Sequence, residues 1–162
     1  MVTAASLMGG WAARQGMSQR LSTLRQLRLG LELMQGEMEL DMPAMETLFD
    51  RVGRQLEGFV GEFFVGTAAQ MAAVTGRPPQ TAMKIQLEQQ PLNLGPQETN
   101  LLLELSGCLG RYDLNGQGRA LELYKNRLDL EIAQREGALR QKARTSMTAS
   151  VCAGLALIVI LL

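Results

Sequence analysis

The sequence predicts an all-α protein: a cytoplasmic helical bundle of about six helices flanked by a short N-terminal and a C-terminal transmembrane helix. Three observations carry this. Apolar residues recur at three- and four-residue steps through the interior of the chain. Alternating β-branched runs, the mark of half-buried strands, are absent. Thr145 to Leu162 carries no charge and ends in Leu155-Ala156-Leu157-Ile158-Val159-Ile160-Leu161-Leu162.

That last stretch would reach about 27 Å as a helix, close to the roughly 30 Å hydrocarbon core of a bilayer. A buried helix of a soluble domain normally keeps one polar face, and Val151–Leu162 has none. A basic tract, Arg135, Arg140, Lys142 and Arg144, precedes it. At the other end Arg14, Arg20, Arg25 and Arg28 all come before the first acid, Glu32. Basic residues beside membrane segments stay on the cytoplasmic side. The expected organisation is a short membrane segment over 1–16, a cytoplasmic bundle over 17–144 and a membrane helix over 145–162. The membrane-flanking basic residues are then Arg14, Arg20, Arg140, Lys142 and Arg144.

The N-terminal segment is the harder one to read. Met1 to Ala13 is apolar to neutral, with Trp11 where an interfacial anchor would sit. Thirteen residues span only about 20 Å, and including Arg14 to Met17, with Arg14 snorkelling, brings the length nearer to that of a span. A cleaved signal peptide fits poorly, because the basic residues follow the apolar run. The other reading is an interfacial start, with the protein anchored at its tail alone.

The first helix is expected from about Ser18 to Leu40, with Leu21, Leu24, Leu27, Leu31, Met34 and Met38 on one stripe. Leu29, Leu33 and Leu40 widen that stripe, as if the helix were covered on two sides. Pro43 suits the first turn of a second helix carrying Met45, Leu48, Phe49, Val52 and Leu56. Gly58 and Gly61 read as a loosened stretch around Phe59 and Val60. A third helix follows with Phe63, Phe64, Ala68, Met71 and Ala72.

Gly76-Arg77-Pro78-Pro79 is a break, and a fourth helix covers roughly Pro79 to Gln90. Pro91 to Pro96 ends it. Pro96 and Glu98 fit the first turn of a fifth helix with Leu101, Leu102, Leu105 and Leu109 buried. The sixth, after Asn115-Gly116, places Leu121, Tyr124, Leu128, Ile132 and Leu139 near one stripe. Glu131 with Arg135 and Glu136 with Arg140 have favourable four-residue spacing. Without a proline it can run on into the last segment, Gly137 being its weakest point. Helices one and six border the membrane segments and should pack side by side.

The chemistry available is thin. The 162 residues hold 46% apolar and 20% charged side chains, which fits a packed core. Net charge is zero and aromatic content 4%, with no nucleic-acid-binding motif beside the arginines. There is no histidine, which removes the commonest general base and metal ligand. No phosphate-cradling glycine loop or dinucleotide fingerprint occurs. Cys108 and Cys152 read as packing residues, not a disulfide or zinc site. Glu32, Glu37, Glu39 and Asp41 read as a solvated face, and Met34, Met38, Met45 and Met71 as core filler despite the methionine count. Ala149 with Ala153 and Ser150 with Gly154 offer small residues four apart for helix contact. No enzyme, cofactor, metal, nucleic-acid or small-molecule site is expected.

Several segments together resemble the stage III sporulation protein AB family, membrane proteins of endospore-forming bacteria. Arg25-Gln26-Leu27-Arg28 with Leu31, Met34, Glu37 and Met38 is similar to that family's first helix. Pro43-Ala44-Met45-Glu46-Thr47-Leu48 resembles its Pro-Leu-Pro-Glu-Ala-Leu start of the next. Leu109-Gly110-Arg111-Tyr112-Asp113 with Gln117 is similar to its Leu-Gly-x-x-Asp-x-x-x-Gln turn into the long helix, the most specific of the matches. The basic-to-apolar ending from Lys142 completes the order. The chain departs from the pattern in its short N-terminal segment, in Met45 at the second proline, and in Met83 or Ile85 where a tryptophan is often seen.

The resemblance implies a subunit of a secretion-like channel between mother cell and forespore, in the mother-cell membrane around the forespore, needed for late forespore development. It implies a non-catalytic platform role, like the inner-membrane platform proteins of type II secretion and type IV pilus machines. The implied partners are a cytoplasmic secretion-type ATPase, the other membrane subunits and membrane lipid. Asp113 and Gln117 cap the start of the last helix on one reading and border a partner site on the other. A tail-anchored adaptor unrelated to sporulation is the competing class.

Overall fold

The computed structural model describes the backbone of residues 3–41, 43–109 and 114–161, and side chains over 16–41, 43–109, 116–138 and 141. The described residues form six helices and no strand: α1 Thr3–Leu40, α2 Met45–Gln55, α3 Gly58–Ala72, α4 Pro79–Gln89, α5 Pro96–Cys108 and α6 Leu114–Leu161. Neither flanking segment is a helix of its own. α1 runs unbroken through the expected boundary at 16, and α6 through the one at 144 and past Gly137. No proline or turn sequence stands at either boundary, so the backbone ladder has no reason to stop there. At 1.5 Å per residue α6 is about 72 Å long. Among the described residues no helix is long and apolar enough to cross a membrane. The side chains of both predicted spans, 1–16 and 145–162, lie outside them, apart from Gly16, as do Cys152 and Leu139.

The α1 stripe is the spine of the core. Leu21, Leu24, Leu27, Leu31, Met34 and Met38 are all buried, and three- and four-residue steps put them on one face. Leu33 packs partly against the core. Leu29 and Leu40 instead face solvent, at 41% and 85% exposure. Among the described residues the bundle covers one side of α1, and Leu29 and Leu40 stand outside it. Met45 packs partly on the core, and Met34, Met38, Met71 and Met83 are buried within it.

α2 and α3 form the tightest pair. Leu48, Phe49 and Val52 face Val60, Phe63, Phe64 and Ala68, all buried. The Phe49 and Phe64 rings stack at 5.5 Å and Phe63 meets Phe64 edge-on at 6.1 Å, geometries worth about 0.5–1.5 kcal/mol each beyond burial. Gly61 does not loosen the chain, as its sequence context implied. A Cβ there would lie 2.8 Å from the Gly53 carbonyl oxygen and 2.5 Å from that of Leu56. Pro43 stands two residues ahead of α2, with extended Ala44 (ψ 146°) as the N-cap. Ala72, expected inside, is exposed at the end of α3.

α4 and α5 begin as expected at Pro79 and Pro96, each at the first helical position where a missing N–H costs nothing. α4 packs on α3, α5 on α4, and α6 closes the bundle against α5 and α1. Leu102, Leu105, Leu109, Leu121, Tyr124 and Leu128 complete the core.

Candidate functional site

The seam between α1 and α6 decides what the bundle can do. Arg25 donates to Glu136 at 2.6 Å, Arg28 to Asp129 at 2.7 Å, and Lys125 to Gln35 at 3.1 Å. Numbers rise along α1 as they fall along α6, so the two helices are antiparallel. The N-terminal part of α1 and the C-terminal part of α6 therefore leave the bundle at the same end.

That end is held by a buried carboxylate. Glu98, in the first turn of α5, is 2% exposed. Its Oε2 accepts hydrogen bonds from the backbone N–H of Gly95 and from both Nε (3.0 Å) and Nη2 of Arg20, while its Oε1 accepts one from Arg135. One side chain thus ties α5 to α1 and α6. The contact to Gly95 is the returning half of a capping box, an N3 glutamate satisfying the N-cap donor. Burial pushes the Glu98 carboxyl up, but the Arg20 and Gly95 hydrogen bonds and the charges of Arg135 and Arg20 outweigh it and hold it below the usual range.

Sequence spacing placed Arg135 with Glu131, one turn back on its own helix. The two do form an ion pair, at 4.0 Å, and Arg135 in addition gives its hydrogen bond to Glu98. Glu136 also reaches across to Arg25, and the side chain of Arg140, its expected partner on α6, lies outside the described residues. The buried Glu98 carboxylate offers Arg135 a closer, charge-assisted contact than half-buried Glu131 does. No local signal marks this cluster, because its members are 78 and 37 positions apart. The helix-first-turn position of Glu98 was the one legible part.

The acids on the α1 face are less free than a solvated surface would be. Glu32 pairs with Arg28 at 2.8 Å, while Glu37 and Asp41 meet Arg51 of α2 at 3.2 and 3.8 Å. Of the expected flanking basic residues, Arg20 belongs to the Glu98 cluster, and the side chains of Arg14, Arg140, Lys142 and Arg144 lie outside the described residues. Asp113 also lies outside them, immediately before α6 begins at Leu114. Gln117 is buried, at 8% exposure, on the first turn of α6. Cys108 is a free, half-buried thiol beside Tyr124. Burial and that thiol push the Tyr124 phenol up to about 12, against the Arg127 guanidinium 5.6 Å from its ring. Among the described residues no group of three His, Cys, Asp or Glu side chains is placed to hold a metal ion.

Beside the same end of the bundle a groove of about 540 Å³ opens between Gln19, Ser22 and Gln26 of α1, Phe59 at the start of α3, and Pro91 and Asn93 before α5.

A solved structure of stage III sporulation protein AB shares this fold, with a TM-score of 0.68 at 23% identity over 76% of this chain and 98% of that one. No curated protein matches the sequence. The family model for stage III sporulation protein AB matches residues 1–162, from one end of the chain to the other. A six-helix bundle closed by antiparallel α1 and α6, together with that full-length match, makes the chain a member of the stage III sporulation protein AB family.

Proposed function

We propose that this protein is a non-catalytic membrane platform subunit of the secretion-like channel between mother cell and forespore. It sits in the mother-cell membrane around the forespore, with residues 17–144 in the cytoplasm. Its partners there are a cytoplasmic secretion-type ATPase and the other membrane subunits of the channel.

One observation carries the reading most directly. α1 and α6 pack antiparallel, so the segments at both ends of the chain leave the bundle on one side. The uncharged tail from Thr145 is of a length to enter a bilayer, and it continues α6 without a break. A bundle held to the membrane at both ends presents a fixed surface to a cytoplasmic motor. A rotation or tilt imposed on its cytoplasmic half passes along α6 to whatever the tail contacts. Gln117 supports a packing role more than a contact role, since a partner cannot reach it where it is buried. Asp113 remains the candidate for the partner side of that turn.

Deletion of the gene in a spore-forming host tests the proposal. Complete engulfment, arrest of the forespore and loss of heat-resistant spores are expected, restored by the intact gene. Normal spores in the absence of a second copy would remove the channel reading in favour of a membrane adaptor.

A further inference from the structure

Phe59 breaks the pattern of the aromatic residues whose side chains are described. Phe49, Phe63, Phe64 and Tyr124 are buried, whereas Phe59 is 75% exposed. Leaving such a ring in water forgoes the gain of burying it, so its placement calls for a reason. The ring is held there by the backbone. Gly58, the residue before it, takes φ +63°, a left-handed conformation that side chains with a Cβ rarely adopt. The chain turns at that point from α2 into α3 and presents Phe59 at the rim of the groove.

Apolar Val60, Pro91 and Leu92 line the groove together with polar Gln19, Ser22 and Asn93 and the Glu57 carboxylate, and the Gln26 carboxamide oxygen is buried there without a hydrogen-bond partner. None of the other exposed large apolar side chains described, Leu29, Leu40, Val74, Leu123 and Leu130, lines it. An exposed aromatic ring stands here over walls of mixed polarity. It is the amphipathic pattern that suits the boundary between headgroups and acyl chains.

Height along α1 gives the same answer. Gln19 lies three residues beyond the boundary at 16, about 4.5 Å along a helix axis. The polar layer on each side of a bilayer is about 5–7 Å deep, half the difference between its full and hydrocarbon thickness. We propose that Phe59 is a third point of membrane contact, entering the headgroup–acyl boundary of the cytoplasmic leaflet while the groove beside it faces the headgroups. The proposal rests on the membrane reading given above. It adds that the bundle seats on the lipid surface in one orientation instead of swinging on its two membrane segments.

Quenching by lipids brominated on their acyl chains tests it. The full chain carrying Trp11→Phe and Phe59→Trp is reconstituted into vesicles of phosphatidylethanolamine and phosphatidylglycerol. Two comparisons run beside it: the unaltered chain, reporting from Trp11, and Trp11→Phe with Leu40→Trp, reporting from the far end of α1. Circular dichroism establishes that all three hold the bundle. The expected result is a blue shift and loss of emission at position 59, loss at Trp11, and none at position 40. An unquenched position 59 beside a quenched Trp11 overturns the proposal and leaves the membrane reading standing. Equal quenching at 59 and 40 overturns it too, since the bundle would then have no fixed seat. If position 59 is blue-shifted only as protein concentration rises, its occupant is a second copy and the proposal fails. If Trp11 and position 59 are both unquenched, neither the N-terminal segment nor the groove meets lipid and the proposal fails.

Discussion

Arg135 lies 4.0 Å from Glu131 on its own helix, yet gives its hydrogen bond to Glu98 on α5. The buried carboxylate therefore joins three helices by charge, where sequence spacing implied two neighbours on one. Removing one member of such a cluster strands the others. Glu98→Ala should destabilise the full chain by about 2–4 kcal/mol in urea unfolding, toward the lower end because both arginines are partly solvated. Arg25→Ala, whose partner Glu136 sits on the exposed side of the same seam, should cost about 0.2–1 kcal/mol. Equal losses for the two would show that burial plays no part.

The same carboxyl makes stability depend on acid. Its folded pKa is below its unfolded value of 4.5, so its stabilising contribution is complete above that value and is lost as pH falls through the lower, folded one. The difference in unfolding free energy between wild type and Glu98→Gln should be largest near neutrality and shrink below about pH 4.5. A difference that grows on acidification would reverse the assignment.

Tyr124 gives the opposite dependence at the alkaline end. Its phenol is raised from 10.0 to about 12, so the neutral ring stabilises the fold fully below the unfolded value. That contribution is lost as pH rises toward the folded one. Ultraviolet titration of the native chain should show one of the two tyrosines ionising late, and Tyr124→Phe should remove that phase. It should also flatten the decline in stability over the same range. An unchanged profile in Tyr124→Phe would place the late phase on Tyr112.

Glycines separate contact from propensity. Gly61→Ala forces a Cβ to within 2.8 Å of the Gly53 carbonyl oxygen, against backbone that cannot step aside. The expected cost is about 1–3 kcal/mol. At Gly36, also inside a helix, nothing lies within 4 Å of the added atom. Gly36→Ala should stabilise by roughly 0.5–1 kcal/mol through helix propensity alone. Thermal melts of the two variants should move in opposite directions.

What could be read from the sequence follows from how far each interaction reaches. Leu21 to Met38 declared their face because a helical stripe is encoded within a few residues. Pro79 and Pro96 marked helix starts for a reason confined to their own missing N–H. Leu29 and Leu40 satisfied the same periodicity and are exposed, since whether a second face is covered depends on what packs there. Gly61 looked like a loosening residue until α2 lay against it. Glu98 was placed in the right turn, but its union with Arg20 and Arg135 spans most of the chain and leaves no local trace. The same holds for the groove at Phe59, whose walls come from three separate stretches.

Closure of the bundle by its first and last helices also sets the order in which the protein can be completed. Gly53 and Gly61 are neighbours in the chain, so the α2–α3 pair can form soon after it emerges. Arg25 waits for Glu136, which is 111 positions later. At ordinary rates of translation that interval is on the order of ten seconds. Through it Leu24, Leu27 and Leu31 have no α6 to cover them. A nascent chain thus carries this apolar stripe without its α6 cover until the ribosome has passed α6, and termination before α6 leaves that side of the stripe bare.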